Sequence, residues 1–502
     1  MRRTLSLPLV VLLCVFFYRA PSLLASGVTD PDYYWHVLYG EWILDHKALP
    51  TTDFWSWTNF GKPYVLTQWL GEVAMGMANQ LGGLYGTSVL AATLLTLTLF
   101  CAYGAAKCFV ESRVAALAIA IACCINLTGL ACRPHQFTHL GLALLVWLLA
   151  IHETQRNRLA LYAIPFVFAV WVNLHGGYAF GLLYLWLVAG CNGLESLIQK
   201  VRPSPFLAIT ALLATLATLV NPNGFGAWGY AIEIASLKSS SSGLVDEWMA
   251  TTIKTEAGLI YFFLATLLAV SMASARARPT VNSLALAVSI TAIGWSSIRV
   301  SLMASILFIP LIANAVSSTP FYQLAFGSTD ARKYDRDAPV WIAGVALFLV
   351  IAISGLLASI SKEAENKVAS DFPVNEIAFM RSHGIDGKIL NSPEIGGYLL
   401  ANGYKVSLDT RLDLYGDRDL FEFVFARRGD GTWRAYVERM NPDIIMIDNL
   451  VALRELLIMA GEYRLVFEGI NLSILVRATE YPSIPTLNPK NTRTETILKS
   501  LS

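Results

Sequence analysis

Apolar residues run in long blocks through the first 360 positions and then stop. The blocks are Leu5–Leu24, Leu84–Ala106, Val114–Ala131, Phe137–Ile151, Leu159–Val172, Ala179–Leu197, Pro205–Val220, Ala257–Met272, Val281–Trp295, Val300–Val316 and Val340–Leu357. Several fall short of the roughly 20 residues that a helical span needs, but their spacing predicts a polytopic α-helical membrane protein with about eleven transmembrane helices. Residues 361–502 read differently. Short runs at Lys388–Leu390, Lys405–Leu408, Asp443–Ile447, Arg464–Phe467 and Leu472–Val476 predict strands, and Glu394–Ala401, Asp419–Phe425, Trp433–Arg439 and Val451–Ala460 predict helices. That alternation implies a mostly parallel sheet covered by helices, a C-terminal α/β soluble domain. The predicted division is a transmembrane domain over 1–360, with a long first outer loop over 26–83, and a separate domain over 361–502.

Composition supports the membrane class. Hydrophobic residues make up 55% of the chain and charged residues 15%, against about 25% charged in soluble chains. A net charge of +1 offers no general attraction to nucleic acid, so no nucleic-acid partner is expected. The seven cysteines lie in or beside apolar blocks, without metal-ligand spacing or a disulfide framework. Arg2 and Arg3 would suit a signal peptide, but Leu23 stands where a cleavage site wants a small residue, so an uncleaved first helix is expected.

Basic residues set an orientation. Arg2 and Arg3, Lys107 and Arg113, Arg156 and Arg158, Lys200 and Arg202, Arg276 and Arg278, and Arg332, Lys333 and Arg336 fall on alternate connections. These should face the cytoplasm, with the N-terminus. The opposite, periplasmic face then receives Asp30–His36, Arg133–His135, Asn173–Gly177, Asn221–Gly224, Asp246–Trp248, Arg299 and the C-terminal domain. Polar clusters therefore gather on one face by a count that uses none of them.

Within the first outer loop, Pro50–Asp53 reads as a turn and helix start, and Phe54, Trp55 and Trp57 suit an interfacial aromatic belt. Trp69–Leu81 is amphipathic enough to lie along a membrane surface. In the C-terminal domain, Gly396-Gly397 is a weak phosphate-loop signal; a helix start packed close to the sheet is the favoured reading.

The candidate chemistry starts from Asp30 and Asp32, one proline apart and just outside the first span. Such carboxylates can take a proton from an attacking hydroxyl or hold a divalent cation, magnesium or manganese. Pro31 favours an extended Asp30, which would turn both carboxylates the same way; the plain alternative is Asp as a helix N-cap. His36 follows as a second acid or base, or a donor to phosphate. Arg133, Arg299 and His175, with His135 beside them, can bind phosphate through always-charged or switchable donors, although arginines at helix ends also anchor to headgroups. Asn173 and Asn221 place amides at membrane depth, where polar groups are functional candidates. Glu247 can complete a metal site or contact a sugar hydroxyl.

Asp30–His36 (DPDYYWH), Gly40–Leu44 (GEWIL) and Gln68–Glu72 (QWLGE) together resemble the first outer loop of multi-spanning C-type (GT-C) glycosyltransferases, bacterial inner-membrane proteins of the superfamily that includes oligosaccharyltransferases and protein mannosyltransferases. Asn173–Gly177 (NLHGG), Asn221–Gly224 (NPNG), Glu247-Trp248 and Asp409–Gly416 (DTRLDLYG) are similar to later blocks of one branch. The resemblance implies a polyprenyl-phosphate or polyprenyl-diphosphate sugar donor, chemistry on the outer face, and a catalytic first-loop acid at Asp32 or Asp30. The acceptor would be a glycan, lipid or protein. The Trp-Trp-Asp signature of oligosaccharyltransferases is lacking, which argues against protein N-glycosylation. The competing readings are a transporter or flippase for a polyprenyl-linked glycan, which would want ionisable groups through the bilayer centre, and a non-catalytic assembly subunit.

Overall fold

A computed structural model of the chain describes residues 4–5, 7–26, 28, 30–127, 131–241, 246–326, 338–339, 368 and 371–487. The predicted span Val340–Leu357 and the basic connection at Arg332, Lys333 and Arg336 lie outside the described residues. The chain forms two compact units, Met1–Ser22 with Thr67–Ala358, and Leu23–Leu66 with Ser359–Ser502. This departs from the predicted division at 360: the loop expected over 26–83 is split, and its first part folds with the C-terminal residues.

The first unit is helical. It contains most of α1 (Leu7–Ser26), then α3 (Trp69–Lys107), α4 (Arg113–Cys124), α5 (His135–Gln155), α6 (Arg158–Leu174), α7 (Tyr178–Ile198), α8 (Phe206–Ala217), α9 (Gly226–Ser241), α10 (Glu256–Ser274), α11 (Val281–Gly294), α12 (Ile298–Ser317) and α13 (Pro320–Phe326). Each predicted apolar block, as far as its residues are described, overlaps one of these helices. Among the described residues, α3, α5, α7, α10 and α12 are long and apolar enough to cross a membrane, and the other apolar helices are shorter. Hydroxyl and amide side chains start several of them: Ser112, Asn157, Thr255, Thr280 and Ser297 each accept a backbone N–H of the first turn. The amphipathic Trp69–Leu81 stretch is the first part of α3, which kinks at Gly82–Gly83, where Gly83 has φ +55°, a conformation favouring glycine.

Lipid tails give helix contact no hydrophobic gain, so close packing against small residues matters instead. Trp171 lies between Gly141 and Gly181; a Cβ at either would come within 2.6 or 2.5 Å of its ring. Tyr261 fits against Gly294 in the same way and donates its hydroxyl to the Ile290 carbonyl at 2.7 Å.

The second unit holds α2 (Pro31–His46) and a sheet of four strands, β1 (Ile389–Asn391), β2 (Ile444–Asp448), β3 (Tyr463–Glu468) and β4 (Leu472–Arg477), in the order β1-β2-β4-β3. Only β1 and β2 are parallel; β2–β4 and β3–β4 are antiparallel. The expected mostly parallel sheet is thus corrected to a mixed one. The short connection from Glu468 to Leu472 leaves no room for the crossover that a parallel pair requires. The strand expected at Lys405–Leu408 is reduced to single bridges from Val406 to Ser56 and Ile389. The helices are α14 (Val374–Ser382), α15 (Pro393–Ala401), α16 (Leu412–Arg427), α17 (Trp433–Met440) and α18 (Ala452–Ala460). Ile389, Leu399, Met446, Ile474 and Val476 form the centre of the core.

Residues 50–66 carry no helix, contrary to the expected start at Asp53, and their aromatic residues join the second unit. Trp57 donates to the Ile389 carbonyl at 3.0 Å, and the Tyr39 and Trp55 rings lie 4.3 Å apart.

Candidate functional site

In the second unit, Asp30 is the N-cap of α2. Its Oδ1 accepts the Asp32 N–H at 2.9 Å, Pro31 takes the first helical position, and Lys47 closes the helix in a left-handed conformation. Asp30 is extended as expected, but Asp32 sits in a helical first turn, so the expected extended pair is corrected to a capped helix. The Trp35 indole N–H reaches both Asp32 Oδ1, at 3.4 Å, and Thr410 Oγ1, at 3.1 Å. His36 is buried, with its ring 3.6 Å from that of Trp35. Gly396-Gly397 is a close-packing device: a Cβ on Gly397 would lie 2.6 Å from the Pro31 carbonyl oxygen, and one on Gly396 would lie 2.7 Å from Asp409 Cα.

Below this turn lies a buried charge cluster that sequence reading missed. The Arg411 guanidinium bonds to both carboxylate oxygens of Asp409, to Asp53 at 2.8 Å and to the Tyr39 hydroxyl at 2.6 Å. The side chains of all three charged residues are fully buried. Tyr415 donates to Asp409 at 2.9 Å, while the Ser56 hydroxyl and N–H donate to Asp53 at 2.6 and 3.0 Å. Burial is the largest single influence and would lower the Arg411 pKa, but Asp409, Tyr39 and Tyr415 together outweigh it and raise the value well above normal. No local signal marks a partner for Asp53 that lies 358 positions away.

In the first unit, a cavity of about 400 Å³ is lined by His135, Thr138, His139, His175, Glu247, Glu256 and Arg299 with apolar neighbours. Its position follows from helix starts. His135 opens α5, Glu256 opens α10, and Ile298-Arg299 opens α12. Residues from the first turns of three helices thus line one space, and a helix start carries partial positive charge. A cation in the first turn of α12 opposes that dipole, so Arg299 is not placed there for helix stability.

The Gly177 backbone N–H, which can only donate, approaches His175 Nδ1 at 3.1 Å. Nδ1 is then an acceptor, and the proton of a neutral ring resides on Nε2. Thr138 Oγ1, 2.8 Å from Nδ1, accepts the Trp171 indole N–H at 3.1 Å. Nε2 lies 3.4 Å from Arg299 Nη2. Two donors therefore lie side by side, a pairing that suits an anion. Glu247 balances the site, 2.9 Å from Arg133 and 3.6 Å from Arg299.

The structure thus brings Arg133, His135, His175, Glu247 and Arg299 together, but not Asn173 or Asn221. Asn173 accepts the Trp69 indole N–H at 2.8 Å and donates to the Ala169 and Val220 carbonyls at 2.9 Å, joining helix ends. Asn221 closes its own turn through the Thr218 and Gly224 carbonyls. Asp30, Asp32 and His36 belong to the other unit. Among the described residues, no group of three or more His, Cys, Asp or Glu could hold a metal ion.

No protein-family model and no curated protein matches the chain. Solved structures do. The Archaeoglobus fulgidus oligosaccharyltransferase, tethered with an acceptor peptide, superposes with a TM-score of 0.51 at 13% identity over 87% of this chain and 69% of its own. ArnT from Cupriavidus metallidurans, bound to undecaprenyl phosphate, gives 0.48 at 13% over 93% and 97%. The chain is a membrane protein with a GT-C-like fold.

Proposed function

We propose that this protein is a membrane glycosyltransferase that moves a sugar or glycan from a polyprenyl phosphate or diphosphate donor to a glycan, lipid or protein acceptor on the periplasmic face of a bacterial inner membrane. The observation that carries the reading is one cavity lined by first-turn residues of three helices, with Arg299 and the Nε2–H of His175 side by side. An imidazole N–H beside an arginine fork is suited to phosphate. The fold is one that glycosyltransferases use.

In the reaction, an acceptor hydroxyl oxygen forms the new bond to the anomeric carbon. The bond from that carbon to the donor phosphate oxygen breaks, and its electron pair leaves with the phosphate. Arg133, Arg299 and His175 stabilise this charge. Asp32 accepts the hydroxyl proton as general base, while Asp30 fixes the turn. Magnesium or manganese can be held by one or two carboxylates when substrate phosphates supply other ligands. As the alternative to the base role, Asp32 and Asp30 would be those carboxylates, and the ion would neutralise leaving-group charge.

The test is glycan and lipid-linked sugar profiling in a deletion strain complemented with wild type, Asp32→Asn or Asp30→Asn at matched protein levels. Loss of the base should cost about 10²–10⁴-fold in rate. Full activity in both variants would end the enzyme assignment for this turn and favour a transporter.

A further inference from the structure

We infer that Thr410 is a positioning residue for Asp32, acting through the Trp35 indole; this rests on the reading of Asp32 as the base. One N–H stands between two oxygens, at 3.1 Å from the Thr410 hydroxyl and 3.4 Å from the Asp32 carboxylate. Thr410 takes the better share of that donor. The indole is thereby held across the carboxylate and directs it.

The surroundings hold both ends of this contact. Thr410 lies between Asp409 and Arg411, which are fixed by their mutual ion pair and by the bond from Arg411 to Asp53. Asp32 lies in the capped first turn of α2, and Gly397 lets that turn approach α15 closely. Trp35 is buried and its ring lies tilted against that of His36. A rigid motif in the C-terminal residues thus sets the direction of an acid contributed from near the N-terminus. The Thr410 hydroxyl is the part of that motif that reaches the indole.

The experiment uses the full chain and has two arms. In the first, the protein is labelled with 5-fluorotryptophan in detergent, and the Trp35 resonance is assigned by its disappearance in Trp35→Phe. Thr410→Val should move that resonance and Thr410→Ser should restore it; an unmoved resonance in Thr410→Val overturns the contact. In the second, glycan transfer is assayed in membranes. Losing one neutral hydrogen bond predicts about a five- to tenfold fall in kcat, with the KM for donor unchanged and recovery in Thr410→Ser. Trp35→Phe combined with Thr410→Val should lose no more than Trp35→Phe alone, because the hydroxyl acts through the indole. Unchanged kcat in Thr410→Val, or additive losses, with Asp32→Asn inactive, refutes the positioning role alone. A fully active Asp32→Asn refutes the base assignment and the positioning role together.

Discussion

Arg411→Met should unfold the second unit at a markedly lower temperature. Arg411 is a single positive charge facing two carboxylates, all with fully buried side chains, so the cluster already carries one excess negative charge. Donors from Tyr415 and Ser56 support that excess. Methionine would fill much of the volume but leave Asp53 and Asp409 buried without a cation. Breaking a buried pair in this way costs about 3–5 kcal/mol. In a unit of this size each kcal/mol moves the midpoint by about 2–4 °C, so a fall on the order of 10 °C is expected. Arg411→Lys should lose most of the same stability, because one ammonium cannot reproduce the planar fork that binds Asp409 through two nitrogens. The assay is thermal unfolding of the full chain in detergent, with limited proteolysis to locate the transition. Adding Asp53→Asn to Arg411→Met should cost less than the sum of the single changes, by about 1–3 kcal/mol. An unshifted melt for Arg411→Met, or strict additivity in the pair, would show that the cluster does not hold the unit together.

Glu376 is buried in the second unit, and burial raises its pKa to about 7 from 4.5. The folded state therefore keeps a proton that the unfolded state has lost, so stability falls as pH rises from about 4.5 through 7, by at most about 3 kcal/mol; Glu376→Gln should flatten that slope in melts between pH 5 and pH 8. Arg299→Lys should lower transfer about ten- to 150-fold by weakening charged hydrogen bonds worth about 1.5–3 kcal/mol, whereas normal activity in Arg299→Ala would make this residue a headgroup anchor. Gly71→Ala would place a Cβ 2.4 Å from the Leu174 carbonyl oxygen. It should reduce folded yield in detergent, as read by size-exclusion chromatography, and wild-type yield would refute this packing.

The helices of the first unit were legible because bilayer-length apolar runs leave the backbone few alternatives. The cavity residues were legible in part, since His135, His175, Glu247 and Arg299, with Arg133 paired to Glu247, sit on connections that alternation assigns to one face. Asn173 and Asn221 are polar for a local reason, which a single sequence does not distinguish from function: they satisfy carbonyls at helix ends. Asp30 is extended, as a residue before proline should be, but Asp32 is not, because the same residues spell an N-cap followed by an N1 proline and the chain turns helical at Pro31. The mixed sheet was misread because a hairpin and a crossover share the same alternation until the connection is counted.

The discontinuity of the second unit bears on biogenesis. Tyr39 and Asp53 leave the ribosome early, but Asp409 and Arg411 follow more than 350 positions later. Until then α2 lacks the partners that bury it, while the intervening apolar helices must already have entered the bilayer. A nascent chain thus carries its acid-bearing turn unassembled through most of translation. Ribosome stalling or truncation before residue 411 should leave a membrane-inserted but inert product, exposed to quality-control proteases at that turn.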